Sequence, residues 1–97
     1  MRRAGKVDDN QTAIVAALRR AGCRVAITSS LGGGFPDIIV AGRGGVLKMI
    51  EIKDGAKPPS ARKLTPAEAA FHRDWSEHVV VVENEEQALA AVGVGLA

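Results

Sequence analysis

The sequence predicts an α/β domain, a mixed four-stranded sheet flanked by helices in the order αβββαβ(α). Three observations predict it. Apolar residues recur at helical spacing near the N-terminus, then alternate or run continuously in four short segments further on. Glycine clusters separate the first three of those segments, as in a meander. A strongly signalled helix stands between the third and the fourth, which is the pattern of a right-handed crossover to a parallel strand.

Each element has its own local reason. "DDNQTAIVAALRRAG" is a helix with an apolar stripe at Ile14, Val15 and Leu18; Asp8 or Asp9 can cap it and Gly22 can end it. "CRVAIT" is a short strand with Val25 and Ile27 alternating, and "LGGG" is a loop. "DIIVA" and "VLKMIEIK" are strands joined by the turn "GRGG", hence a hairpin. "DGAKPPSARKL" is a polar loop. "TPAEAAFHRDWSE" is a helix with Thr65 as N-cap, Pro66 first in the helix and Glu68 as capping-box partner. "HVVVVE" is a continuous apolar strand, as expected where both faces are covered. "NEEQALAAVG" closes the chain as a helix with a second capping box, Asn84 and Gln87.

A chain of 97 residues, 46% hydrophobic, suits one domain spanning 1–97 with a single core. That core is aliphatic: there are two Phe, one Trp and no Tyr, too few rings for an aromatic base-stacking platform. The lone Cys23 excludes an internal disulfide and a cysteine zinc cluster. His72 and His78 lack the usual zinc spacing. No apolar run is long enough to span a membrane and nothing reads as a signal peptide, so an intracellular, cytoplasmic protein is expected. Charge is lopsided. Residues 1–73 hold all 13 Lys and Arg and six of the 11 acids, whereas residues 74–97 hold five acids and no base. Such a chain can present a basic front to a polyanion and an acidic back.

Three charges interrupt the hairpin: Asp37, Glu51 and Lys53. Charges in a half-buried sheet are costly unless compensated. A three-residue loop at 43–45 sets Asp37 across from Glu51, with Lys53 on the same face and Ile38, Val40, Ile50 and Ile52 on the other. A two-residue loop would send the carboxylates to opposite faces. Two adjacent carboxylates repel, and one takes up a proton unless a cation joins them. Lys53 could be that cation, in a purely structural ion triad. A divalent metal is the alternative: Asp37, Glu51 and the backbone carbonyl of Ile52 would form half an octahedral shell, with Lys53 beside the attacking water to orient it and stabilise developing charge.

"PD" followed by "EIK" resembles the PD-(D/E)XK nuclease motif, whose family core is the restriction-endonuclease-like αβββαβ fold. "GGGFPDIIV" and "EIKDGAKPPSARKLTPAE" resemble more specifically the stand-alone VRR-NUC domains, a branch often encoded by bacteriophages. The resemblance spans nearly the whole chain. It implies a Mg²⁺- or Mn²⁺-dependent deoxyribonuclease with Asp37 and Glu51 as metal ligands and Lys53 as catalytic lysine. Many relatives, including archaeal-type Holliday junction resolvases, carry a helix-one glutamate where this chain has Gln11. Gln11 would orient water but is a poor carboxylate substitute, which puts a second metal in question. Where the family often has a glutamine after the lysine stands Glu68, for which the capping box is sufficient explanation. Ser29 and Ser30 precede the glycine loop, in the region where related resolvases place a serine near substrate phosphate, and Ser30 is the better candidate.

Gly32, Gly33 and Gly34 could let backbone approach a phosphate, and Lys57, Arg62 and Lys63 suit sequence-independent phosphate contacts. Arg19 and Arg20 could lie along a second DNA arm. No recognition helix is visible, so shape rather than sequence would be read. Resemblance to resolvases implies a homodimer acting on branched DNA such as four-way junctions; the tail "AVGVGLA", with no evident place in a monomer core, is compatible with pairing. Flap, single-stranded or linear duplex cleavage, or a non-catalytic nucleic-acid-binding module, are the alternatives. Nothing in the sequence calls for an organic cofactor or a membrane.

Overall fold

In the computed structural model, which describes residues 10–94, helix α1 (Gln11–Arg20) leads into strand β1 (Arg24–Ile27). Strands β2 (Ile38–Ala41) and β3 (Leu47–Ile52) follow, then α2 (Pro66–Asp74), β4 (Val79–Val82) and α3 (Glu85–Ala91). The strands form one mixed sheet in the order β1-β2-β3-β4. β1–β2 and β2–β3 are antiparallel, and β3–β4 is parallel, reached through α2 as the crossover pattern predicts. The fold is therefore the expected α/β arrangement, a mixed four-stranded sheet with three helices.

The hairpin register is the one that unites the charges. Ile38 pairs with Ile50 and Val40 with Lys48. The turn is a short 3₁₀ segment, Arg43–Gly45, closed by a bond from the Gly42 N–H to the Val46 carbonyl. Gly44 and Gly45 both have positive φ, 68° and 81°, which permits the odd-numbered loop.

Alternation then sorts the strands. Ile38, Val40, Ile50, Ile52 and Val82 are buried against Ile14 and Leu18 of α1 and Ala88 of α3. Each such side chain contributes about 1.5–3 kcal/mol of burial. The opposite face carries Ile39, Leu47, Met49 and Glu51. α2 crosses this face: Phe71 meets Phe35 edge-on at 5.2 Å and stacks on Trp75 at 5.4 Å.

Several boundaries differ from the sequence expectation. Asp8 and Asp9 lie outside the described residues; α1 starts at Gln11 with Asn10 as its N-cap residue, and Asn10 makes no side-chain cap bond. Its amide instead donates to the carbonyls of Lys53 and Glu83, at 3.3 and 2.9 Å, so long-range anchoring outcompetes local capping. α2 ends at Asp74 rather than running to Glu77. Asn84 caps α3 by accepting from the Gln87 N–H, but Gln87 reaches back to the Glu83 N–H, one residue beyond the reciprocal box. The apolar tail has a place in the monomer after all: Val92 is buried in the core and Val94 packs against it, while residues 95–97 lie outside the described region.

Candidate active site

The site forms where β2 and β3 meet the start of α2. Pro36 is buried and precedes Asp37 directly before β2. The Asp37 N–H donates to the Ile50 carbonyl at 3.0 Å, so the ladder departs here from simple opposition to Glu51. The Asp37 carboxylate still reaches β3: its Oδ2 accepts from the Ile52 N–H at 2.7 Å, and its charge acts on the carboxyl of Glu51. Within a strand, a residue's N–H and C=O point to the same side. The Ile52 carbonyl therefore lies on the Asp37 side, whereas Lys53 donates its N–H to Val82 of β4.

Glu51 is only 3% exposed, and Lys53, two residues on, shares its face. The two do not form the tight pair that the sequence invites. Lys53 Nζ lies 3.8 Å from Glu51 Oε2 but 3.0 Å from Glu68 Oε1. That same Glu68 oxygen accepts from the Thr65 N–H at 2.9 Å, while Thr65 Oγ1 accepts from the Glu68 N–H. The expected capping box is thus present, and its glutamate also holds the site lysine.

The electrostatics follow from this partition. Burial opposes ionisation of Glu68, but bonds from Thr65 and Lys53 overcome it and hold the carboxyl below its ordinary range. Glu51 goes the other way. Burial, then the charges of Asp37 and Glu68, push it up to about 9 against the smaller opposing pull of Lys53. At neutral pH the Asp37–Glu51 pair therefore carries a proton. Burial also lowers His72, one helical turn beyond Glu68; Glu68 opposes this shift and Lys53 adds to it.

The donor set suits a hard divalent cation. Two carboxylates share one proton in a site where Glu51 Oε1 is buried with no hydrogen-bond partner, and a cation would relieve both. The protein alone offers only part of a shell: among the described residues no group of three or more His, Cys, Asp or Glu side chains is placed to hold a metal. Backbone oxygen, water and substrate would have to complete it.

Gln11 is 5% exposed at the start of α1, its Nε2 3.4 Å from Ser29 Oγ and its Oε1 buried without a partner. It is therefore no plain surface residue. Ser29, not Ser30, is the serine it meets; Ser30 is exposed. Ser29 follows Thr28, whose N–H and hydroxyl bond the carbonyls of Asp37 and Pro36, so the serine loop is fastened to the site.

The glycine loop divides by role. Gly32, Gly33 and Gly34 all have positive φ. Gly32 and Gly33 face open space, but a Cβ on Gly34 would collide with the carbonyl of Ala67 in α2. The smallness of Gly34 thus serves the seating of α2 rather than approach of a ligand. In the following loop Lys63 is exposed and Lys57 half-buried, while Arg62 is turned to Glu83, with Nη1 3.2 Å from Oε2. Sequence reasoning missed Asn10, preferred Ser30 to Ser29 and underrated Glu68. A capping-box glutamate 15 residues beyond a motif lysine was the available signal for Glu68.

No protein-family model and no curated protein matches the chain. Among solved structures, it is similar to one described as a VRR_NUC domain, with 25% sequence identity and a TM-score of 0.61. The match covers 80% of this chain and 84% of that one. Among the described residues no helix is long and apolar enough to cross a membrane. The sheet order, the placing of the helices and this structural likeness together support membership of the VRR-NUC family, and with it a nuclease domain.

Proposed function

We propose that the protein is a divalent-metal-dependent DNA endonuclease that hydrolyses phosphodiester bonds and prefers branched DNA, four-way junctions foremost, as a homodimer. One observation carries the metal-dependent chemistry. Asp37 and Glu51 bring two carboxyl groups together in a buried setting, and Glu51 Oε1 has no hydrogen-bond partner there, an arrangement that suits a hard divalent cation.

In this reading Asp37, Glu51 and the Ile52 carbonyl would hold Mg²⁺ or Mn²⁺, whose chemistry is to activate water and neutralise charge on the phosphate. Lys53, fixed by Glu68, orients the attacking water and stabilises the negative charge that builds on the phosphoryl oxygens. Gln11 and Ser29 border the site from the α1 side and position water or substrate. Lys57 and Lys63 contact phosphates without reading sequence. Arg62 contributes mainly by tying its loop to Glu83. The preference for branched DNA and the homodimer rest on the likeness to resolvases and on the lack of a sequence-reading helix.

The test is cleavage of labelled four-way junction, flap, single-stranded and linear duplex DNA with and without Mg²⁺ or Mn²⁺, beside light scattering. Metal-dependent cleavage abolished by Asp37→Asn supports the nuclease. A monomer that cuts junction and linear duplex equally well removes the branched-DNA and dimer parts while leaving the nuclease.

A further inference from the structure

A groove of about 230 Å³ runs between α1 and the end of β1, lined by Gln11, Thr12, Val15, Ala16, Arg19 and Ile27. One end is Gln11, with an unpartnered buried amide oxygen beside Ser29. The other end is Arg19. One wall is β1, the edge strand of the sheet. Its short edge is partly covered, since Arg19 Nη2 donates to the Val25 carbonyl at 3.1 Å.

Beyond Arg19 the surface is strongly positive. Arg20 is exposed in the last turn of α1, and Arg24 opens β1 at the sheet edge, on the pleat position paired with Ala41 and so on the face away from α1. Arg43 brings its guanidinium over the α1–β1 turn, with Nη2 3.9 Å from where a Cβ would stand on Gly22. All four arginines are exposed. Asp37 is the single acid between Gln11 and Met49, and it sits at the opposite end of β2. Two arginines would be enough to complement the α1 macrodipole. Arg24 and Arg43 come from other elements and have no such role.

We infer that this groove and the arginines Arg19, Arg20, Arg24 and Arg43 form a second DNA-backbone contact. It would carry the substrate away from the cleavage site along the β1 edge. The inference deepens the nuclease reading and rests on it. The spacing fits: eight residues of α1 separate Gln11 from Arg19, a rise of about 12 Å. That corresponds to about three to four base-pair steps at 3.4 Å each. Val15, Ala16 and Ile27 give the groove an apolar part and Gln11, Thr12 and Arg19 line it with hydrogen-bond donors, so it suits passage of a sugar-phosphate backbone. The arginines beyond it supply the phosphate contacts. The surface is sequence-indifferent, and it reaches the flank of the substrate rather than the scissile bond.

The experiment is metal-free binding to a duplex of about 20 bp across a salt series, which spans site and patch together. Wild type is compared with Arg20→Gln/Arg24→Gln/Arg43→Gln and with Lys57→Gln/Lys63→Gln, each checked by circular dichroism. Arg24→Gln/Arg43→Gln is the second variant; it leaves α1 untouched should the triple variant fold poorly. The expected result is at least a tenfold loss of affinity at low salt for the triple variant. Its salt slope should fall by up to about 2.7 units, at about 0.9 per lost phosphate contact. Wild-type affinity and slope in both arginine variants would overturn the inference, whether or not the protein cleaves DNA. Wild type that binds DNA but cleaves none with Mn²⁺ would instead overturn the nuclease reading and leave the arginine surface standing.

Discussion

Glu68 Oε1 accepts from Lys53 Nζ at 3.0 Å while it closes the N-terminal cap of its own helix. One oxygen therefore joins the start of α2 to the end of β3. The lysine of the hairpin is positioned by a helix that begins after a long loop, and the rigidity of that helix end becomes the rigidity of the site. The two duties can be separated. Thr65→Ala should remove the cap alone, costing about 1 kcal/mol and thus about 4–8 °C in Tm. Glu68→Gln keeps an oxygen acceptor for the cap but loses the charge facing Lys53. We expect it to keep its Tm within a few degrees while kcat falls by about tenfold with little change in KM. Equal losses of kcat in the Thr65 and Glu68 variants would mean that Glu68 matters only as a cap.

Lys53→Ala should retain the fold and DNA binding and lose cleavage by at least about a hundredfold, if its charge acts chiefly in the transition state. Single-turnover cleavage beside metal-free binding measures both. Unchanged turnover would assign Lys53 to holding α2 through Glu68.

Glu51 predicts the pH dependence of the metal-free protein. Its folded value, about 9, stands above the ordinary 4.5, so the folded state binds the extra proton between those limits. The stability that protonation contributes is complete below about 4.5 and is lost as pH rises through about 9. Tm in chelator should therefore fall from pH 6 to pH 9, and Glu51→Gln should flatten the decline. A wild-type profile parallel to that of Glu51→Gln would show that Glu51 is not the group responsible. Because a metal would have to displace the same proton, Mn²⁺ affinity by calorimetry should rise over this range, and Asp37→Asn should weaken it.

Gly34→Ala should be among the most destabilising single-methyl additions in the chain. The residue has φ 86°, and its Cβ would meet α2 backbone rather than a movable side chain. A loss of about 2–4 kcal/mol is expected by chemical denaturation, combining backbone strain with steric clash. Gly33→Ala, strained but facing open space, should cost less. If the two cost the same, the approach to Ala67 is not what requires glycine.

The sequence by itself determined the order of elements and, given an odd-numbered turn, the core face of the hairpin and the grouping of its three charges. All three follow from local physics: apolar period, capping chemistry at Thr65 and Asn84, and a glycine turn that fixes the register. Ile38, Val40, Ile50 and Ile52 are buried on one face because side chains alternate, and that needs no knowledge of the rest of the chain. Only the tertiary structure decided how the charges pair. Whether Lys53 answers Glu51 or Glu68 depends on where α2 begins over the sheet, a position set by Gly34 against Ala67 and Phe35 against Phe71. Likewise, the resemblance marks Gln11 as a residue that could orient water, but nothing local in the sequence shows that it is buried. It becomes a buried neighbour of the site because Asn10 pins the start of α1 to the carbonyls of Lys53 and Glu83. Such contacts join residues tens of positions apart, and their energies depend on distance and burial that no local pattern encodes.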